Sequence, residues 1–137
     1  MIIGFACGVF DLFHAGHVLM LKECKQNCDY LIVALNTANN ISKEINPKKK
    51  QPIFSLDERK LILESCKYVN EVAIYNSEEE LYNLLKNKDA RVRFLGDDYR
   101  EKKITGSDLD IKIFYNNRDH GYSTTSIIKR ILERYKC

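Results

Sequence analysis

Short apolar runs alternate with helix-forming stretches along almost the whole of this 137-residue sequence. The run DYLIVAL is apolar on both faces, as strands buried inside a parallel sheet are. Strands are predicted over residues 2–7, 29–35, 71–75, 92–96 and 110–115. This order, βαβαβαβ followed by a loop and a last βα unit, predicts a Rossmann-like α/β fold. We expect an open, mainly parallel five-stranded sheet with right-handed crossovers and helices on both faces. A single domain is expected over residues 1–137.

Capping residues mark the expected helix starts. Ser55 and Glu58 form an S-x-x-E capping box, in which the hydroxyl and the carboxylate bind free amides of the first turn. Ser77 and Glu80 repeat this pattern, and Ser123 is expected to open the last helix. Helices are predicted over residues 16–27 and 56–66, after Ser77 and after Ser123.

Composition indicates an ordinary globular protein. Apolar residues make up 45% and charged residues 30% of the chain, unlike the balance of disordered chains. The net charge of +3 is too small for a nucleic-acid-binding surface, and the excess at Lys48, Lys49 and Lys50 favours a local anion site. The N-terminus lacks the features of a signal peptide, and no apolar run approaches ~20 residues. We therefore expect a cytoplasmic protein without membrane or nucleic-acid partners.

The five cysteines are an odd number without a regular framework, so free thiols are expected. Cys24 and Cys28 lie one helical turn apart and could be grouped with His14 and His17 as zinc ligands. Their spacing is not that of a zinc knuckle, and buried free cysteine is common in protein cores. No zinc site is predicted.

Unusual residues are concentrated in the loops that follow the predicted strands. In an open parallel sheet these loops meet at the carboxyl edge, where ligands bind. The first loop, GVFDLFHAGH, places His14 and His17 at a helix start, with both side chains on one side near amides that attract phosphate. Gly16 is small enough for a nucleotide to approach the backbone. The simpler interpretation, that one histidine caps the helix and the other fills the core, fits this loop position less well.

The last loop, RDHGYSTT, precedes the final helix. Ser123, Thr124 and Thr125 offer hydroxyls and free amides to an anion, and Gly121 supplies backbone freedom. A plain cap explains Ser123 alone, but it does not explain an arginine, a histidine and three hydroxyls together at the edge that also carries HAGH.

Two further segments carry charge. In PKKKQPIFSLDERK the basic residues suit a lid that closes over a polyphosphate, and they are Lys48, Lys49, Lys50, Arg59 and Lys60. After the fourth strand, Asp97 and Asp98 could hold a ribose hydroxyl, a base amino group or a magnesium ion.

At these residues the chain resembles the cytidylyltransferase family, and most closely the glycerol-3-phosphate cytidylyltransferases. The shared features follow in order over almost the whole chain: GVFDLFHAGH, the basic loop leading to SLDERK, YVNEV, GDDY and HGYSTT. HxGH alone also occurs in adenylyltransferases and in class I aminoacyl-tRNA synthetases. HxGH combined with the late STT helix start is highly specific.

The resemblance implies that an acceptor phosphate attacks the α-phosphorus of CTP, with Mg²⁺ present, and that pyrophosphate leaves. It also implies a homodimer, glycerol 3-phosphate as acceptor, and catalysis by His14, His17, Lys50 and Arg118. The nucleotide-binding residues that it implies are Gly8, Val9, Phe10, Asp11, Gly16, Lys48, Asp98, Arg118, Gly121, Tyr122, Ser123 and Thr124. The expected acceptor-binding residues are Arg59 and Lys60.

Two positions depart from the family pattern. Val9 stands where threonine is frequent, and Asp119 follows Arg118 where the family often has threonine. Asp119 could redirect the arginine and alter recognition of the base, so adenylyl transfer from ATP to FMN, a sugar phosphate or pantetheine phosphate is an alternative. A non-catalytic CTP sensor is an alternative from another class, although a sensor would need neither the histidines nor the basic lid.

Overall fold

The computed structural model describes residues 1–39, 51–96, 100, 102–117 and 120–136. Within these ranges the chain forms five strands and four helices. The strands are β1 (Ile3–Gly8), β2 (Tyr30–Asn36), β3 (Glu71–Tyr75), β4 (Val92–Gly96) and β5 (Lys112–Asn116). The helices are α1 (Ala15–Gln26), α2 (Leu56–Ser65), α3 (Glu78–Asn87) and α4 (Thr124–Arg134). All four are too short or too polar to span a lipid bilayer.

The five strands form one sheet in the order β3-β2-β1-β4-β5, and every neighbouring pair is parallel. The chain therefore begins in the middle of the sheet, builds β2 and β3 on one side, and then crosses to β4 and β5 on the other. Strand order reverses between β1 and β4, so the loops after these two strands diverge and leave a crevice at the carboxyl edge. The predicted Rossmann-like parallel sheet is confirmed.

Alternate side chains of the central strands are buried on opposite faces of the sheet, since successive strand residues point in opposite directions. On one face the core contains Ala6, Leu21, Cys24, Val33, Leu35 and Leu63, which come from the sheet, α1 and α2. On the other face it contains Phe5, Ile32, Ala34, Leu81 and Leu85, which come from the sheet and α3. Each fully buried leucine contributes roughly 1.5–3 kcal/mol. The prediction of helices on both faces is thus confirmed.

Two local predictions need correction. The fifth strand begins at Lys112 rather than at residue 110, because the amide of Leu109 binds Gly106 O and that of Ile111 binds Leu109 O in a turn. The expected capping box at α3 is only half formed. Ser77 Oγ accepts from the Glu80 amide, but the Glu80 carboxylate accepts from Asn76 instead of returning to Ser77. The box at α2 is complete, with Ser55 and Glu58 bonded in both directions.

Candidate active site

The loop between β1 and α1 is held in shape by the carboxylate of Asp11. Its two oxygens accept from the amides of Leu12 at 3.1 Å, Ile53 at 2.8 Å and Phe54 at 2.9 Å. These bonds join the first loop to the segment before α2. Phe10 and Leu12 have φ angles of 53° and 49°, a left-handed conformation that costs free energy unless surrounding contacts fix it. Asp11 therefore holds a strained loop, and this contact was not expected from the sequence.

His14 and His17 form a capping box made of imidazoles. His14 is the N-cap of α1, and its Nδ1 accepts from Gly16 N at 3.0 Å. In return, Nδ1 of His17 accepts from His14 N at 3.1 Å, and the two rings stack with centroids 3.9 Å apart. A ring nitrogen that accepts an N–H bond carries no proton, so each neutral ring has its proton on Nε2. The backbone thus gives both histidines the same tautomer.

Aromatic packing supports this pair from the protein side. The ring of His17 lies 5.3 Å from that of Phe13, nearly parallel, and 5.4 Å from that of Phe10. The side chain of Phe10 is itself buried in the core, so it supports His17 and does not line the cleft. The simpler interpretation, in which a histidine caps the helix, and the interpretation as a site residue both hold for His14. It is the N-cap of α1, and it lines the cleft.

The last loop packs directly on the HAGH segment. A Cβ added at Gly16 would lie 2.8 Å from His14 Cε1 and 2.9 Å from both His120 Cε1 and Tyr122 Cβ, so only glycine fits there. Thr124 donates from its hydroxyl to Asp11 O at 3.3 Å, which ties the start of α4 to the first loop. The structure therefore brings the two predicted motifs together.

Other contacts fix the approach of this last loop to the site. Glu23 on α1 accepts from Asn116 Nδ2 at 2.8 Å and from the Asn117 amide at 3.2 Å, which holds the end of β5 against α1. Gly121 has a φ of +74°, a left-handed conformation that favours glycine. Ser123 is the N-cap of α4, as predicted, and its hydroxyl accepts from Ser126 N at 3.1 Å.

Between the two motifs lies an open cleft with a volume of about 390 Å³. It is lined by His14, Ala15, His120, Gly121, Tyr122, Ser126, Ile127 and Arg130. Five of these residues were not among the predicted site residues, and two of the five, His120 and Arg130, are basic. His120 belongs to the RDHGYSTT motif, and Arg130 follows Ser126 by one helical turn, a spacing that places both side chains on one face of α4. That spacing could have identified Arg130 from the sequence.

Burial and the charge of nearby His120 both lower the pKa of His14 below its ordinary value. The neutral form of this imidazole is therefore favoured in the folded protein, which agrees with a ring that accepts an amide at Nδ1 and donates at Nε2.

Arg59 does not belong to an exposed lid, and that prediction is wrong. The residue is 2% exposed, and its guanidinium is bonded to carbonyl groups of three separate segments. Nε donates to Phe54 O at 3.2 Å, Nη1 to Val9 O at 3.1 Å and Asn36 O at 2.7 Å, and Nη2 to Thr37 O at 3.0 Å. Arg59 therefore connects the loops after β1 and β2 to the start of α2, and acceptor binding by its side chain would require breaking these bonds.

The remaining predicted residues fall into two groups. Gly8 ends β1 and Lys60 is half-buried on α2. Six predicted residues lie outside the described residues, and they are Lys48, Lys49, Lys50, Asp97, Asp98 and Arg118.

The described residues do not fit a protein-held magnesium or zinc site. Within them, no group of three or more His, Cys, Asp or Glu side chains is arranged to hold a metal ion. The cleft offers N–H groups and hydroxyls, whereas Mg²⁺ prefers carboxylate and phosphate oxygens. Cys24 lies in the core with its sulfur 3.6 Å from Met20 Sδ, and burial raises the pKa of this thiol to about 12. A thiol buried in the core is therefore not placed to share a zinc ion with His14 and His17.

The fold and the cleft together define an α/β nucleotide-binding domain. The parallel sheet has a switch in strand order, and the cleft lies between a helix capped by a histidine and a helix capped by a hydroxyl. Residues 5–130 match the cytidylyltransferase-like family. The chain belongs to this family, and membership assigns it to the nucleotidyltransferases.

Individual relatives agree with this assignment. The chain is 37% identical over 125 residues to glycerol-3-phosphate cytidylyltransferase of Bacillus subtilis, covering 90% of this chain and 92% of the relative. It is also 37% identical over 135 residues to the bifunctional protein HldE of Aliarcobacter butzleri, covering 98% of this chain. The chain spans only 28% of the length of that HldE protein.

Solved structures show the same fold. A lipopolysaccharide core biosynthesis protein from Thermoplasma volcanium superposes with a TM-score of 0.69 at 26% identity, covering 90% of this chain and 99% of that protein. A bifunctional NMN adenylyltransferase/ADP ribose pyrophosphatase from Francisella tularensis, complexed with AMP and a manganese ion, gives 0.66 at 17% identity. The match covers 98% of this chain and 42% of the Francisella protein, and at this identity it supports the fold alone.

Proposed function

We propose that this chain transfers CMP from CTP to glycerol 3-phosphate, giving CDP-glycerol and pyrophosphate. The observation that carries the proposal is the imidazole pair at the start of α1, in which both Nδ1 atoms accept backbone amides. The proton of each neutral ring must then be on Nε2. The Bacillus subtilis relative, similar over nearly its whole length, supports CTP and glycerol 3-phosphate as the substrates.

The proposed reaction is a direct in-line displacement. A new bond forms between an acceptor phosphate oxygen and the α-phosphorus, while the bond from that phosphorus to the β-phosphate oxygen breaks and pyrophosphate departs with the electron pair. Negative charge develops on the transferring group, and the Nε2–H donors of His14 and His17 would stabilise it. Because the backbone already orients both rings, the rings need not move during the reaction. Ser123 and Thr124 at the start of α4 would hold the β and γ phosphates near the helix amides. No covalent nucleophile is required.

Several assigned roles are proposals that follow from the family resemblance. Lys50, with Lys48, would neutralise charge on the phosphates, and Asp98 with Arg118 would fix the nucleoside. Nucleotidyltransferases generally use a divalent metal, and Mg²⁺ carried on the triphosphate oxygens would supply further charge neutralisation when bound. A homodimer and a cytoplasmic location are also proposed, and light scattering of the purified protein tests the first.

A second candidate is adenylyl transfer from ATP to a sugar phosphate, FMN or pantetheine phosphate. The Thermoplasma neighbour is named as a lipopolysaccharide core biosynthesis protein, and the saccharide in that name favours a sugar phosphate among these acceptors. The two candidates differ in the nucleotide and in the acceptor, so one set of assays separates them.

The first experiment measures pyrophosphate release with Mg²⁺ for CTP, ATP, GTP and UTP. Each nucleotide is paired with glycerol 3-phosphate, phosphocholine, phosphoethanolamine, sugar phosphates and FMN. Release confined to CTP with glycerol 3-phosphate is expected. Release with ATP and a sugar phosphate would replace the proposal by the second candidate, and CTP binding without release from any pair would favour a sensor.

A substitution of His14 tests the proposed chemistry separately from the cap. Asparagine is among the best N-cap residues, and its amide oxygen can accept from Gly16 N as Nδ1 does, but it has no group at the position of Nε2. His14→Asn is expected to lower kcat about 100- to 1,000-fold with little change in melting temperature. Ser77→Asn, the corresponding cap exchange on α3, is the control and should retain full activity. An active His14→Asn enzyme would refute the assigned role.

A further inference from the structure

His120 occupies a position in the cleft that matches that of His14. Both imidazoles line the same wall, and their Cε1 atoms lie 2.9 Å and 2.8 Å from the position that a Cβ on Gly16 would take. The two rings therefore lie close to one another beside the start of α1. Together with His17, they are the three histidines of the sequence, and all three lie in the loops or helix start at this edge of the sheet.

The backbone fixes the orientation of His120. The amide of Tyr122 donates to Nδ1 of His120 at 3.0 Å. The amide of Gly16 donates to Nδ1 of His14 in the same way, and in both pairs the amide comes two residues after the histidine. The neutral His120 ring therefore carries its proton on Nε2, on the opposite edge of the ring. The Tyr122 ring, with its centroid 5.5 Å away and tilted by 27°, limits rotation of the imidazole.

The charges that line the cleft suit an anion. Among its described lining residues, His14, His120 and Arg130 are bases, and none is a carboxylate. Burial lowers the pKa of His14, and nearby His120 lowers it further because two protonated rings would repel one another. An anion with several negative oxygens, placed between the rings, would remove this repulsion.

We propose that His120 binds the polyphosphate of the nucleotide through its Nε2–H group, together with His14 and Arg130. This inference rests on the proposed function, which supplies a nucleoside triphosphate as the ligand. The contact is made equally before and during the reaction, so it is expected to set the affinity for nucleotide and to leave the chemical step unchanged.

Two substitutions separate binding from support of the loop. In His120→Asn the amide oxygen can still accept from Tyr122 N, as asparagine does in turns, but the donor at the position of Nε2 is lost. In His120→Gln the longer side chain places an amide N–H near that position. We expect His120→Asn to raise KM for CTP about tenfold with kcat within about twofold, and His120→Gln to restore most of the affinity.

Calorimetry with inorganic tripolyphosphate measures the same contact without turnover. Its Kd is expected to rise about tenfold in His120→Asn and in Arg130→Gln, and to remain unchanged in Lys129→Gln. Lys129→Gln is the matched control because it removes one positive charge from α4 outside the cleft lining.

The outcomes distinguish this inference from the proposed function. Unchanged tripolyphosphate affinity in His120→Asn would overturn the inference, even if the enzyme forms CDP-glycerol. A larger loss in His120→Gln than in His120→Asn, accompanied by a lower melting temperature, would assign His120 to loop structure and also overturn it. Weaker tripolyphosphate binding in His120→Asn would support the inference, even in a protein that releases pyrophosphate from none of the substrate pairs.

Discussion

Replacing Arg59 tests whether this residue connects three loops or binds the acceptor. Its guanidinium makes four hydrogen bonds to backbone carbonyls, at distances of 2.7 to 3.2 Å, and the side chain is almost fully buried. A hydrogen bond to a charged group contributes about 1.5–3 kcal/mol, but the four do not add, since some carbonyls regain water when the cation is removed. We expect Arg59→Gln to lower the free energy of unfolding by about 3–5 kcal/mol.

Urea denaturation followed by circular dichroism measures this loss. Arg59→Lys keeps the charge but donates from a single point and cannot reach carbonyls of three segments, so an intermediate loss of about 1.5–3 kcal/mol is expected. Lys60→Gln, at the next position on α2, is the control and should change stability by less than about 0.5 kcal/mol.

Measuring kcat and both KM values for the same variants could refute the assignment of Arg59 as a connecting residue. A residue that connects the loops after β1 and β2 should change kcat and both KM values together when it is replaced, because the histidine loop moves. If Arg59→Gln instead kept the unfolding free energy of the wild type and raised only KM for the acceptor, the buried connection would be wrong and the predicted acceptor contact would be right.

Three other predictions concern pH, thiol reactivity and the core. The pKa of His14 is lowered in the folded protein, so the stability linked to it is complete above its ordinary value of 6.5 and is lost as pH falls through the folded pKa. The melting temperature of the wild type should therefore fall more steeply below pH 6.5 than that of His14→Asn, and equal slopes would contradict this. The thiol of Cys24, with a pKa of about 12, should resist iodoacetamide at about pH 8 until the protein unfolds, as peptide mapping would show. Leu63→Ala should cost about 2–5 kcal/mol of unfolding free energy, whereas Leu61→Ala, at a residue that is 70% exposed, should cost less than about 0.5 kcal/mol.

Local patterns in the sequence were sufficient to predict the elements of the fold. A strand buried on both faces must be apolar throughout, and a helix start must satisfy its free amides, so runs such as 29–35 and caps such as Ser55 and Ser123 are visible without a structure. The boundary of β5 was less visible, because the turn that delays it depends on backbone bonds made by Leu109 and Ile111.

The sequence also predicted that HAGH and HGYSTT would meet, since parallel strands place their following loops at one edge of the sheet. It did not predict that the histidines would bond their Nδ1 atoms to backbone amides, or that His120 would lie beside His14. Those contacts depend on backbone angles within the loops, which residue types alone do not determine.

Arg59 shows most clearly what only the tertiary structure decided. In the sequence it stands between a glutamate and a lysine on a polar helix, where an exposed side chain is the ordinary expectation. In the fold, carbonyls from the loop after β1, from the end of β2 and beyond, and from the segment before α2 converge on its guanidinium. These segments are distant in the chain and meet only in the folded sheet. The hydrogen-bond partners of Arg59 therefore cannot be identified from the sequence. Apolar periodicity is a property of neighbouring residues, whereas satisfaction of a buried charge depends on the whole fold.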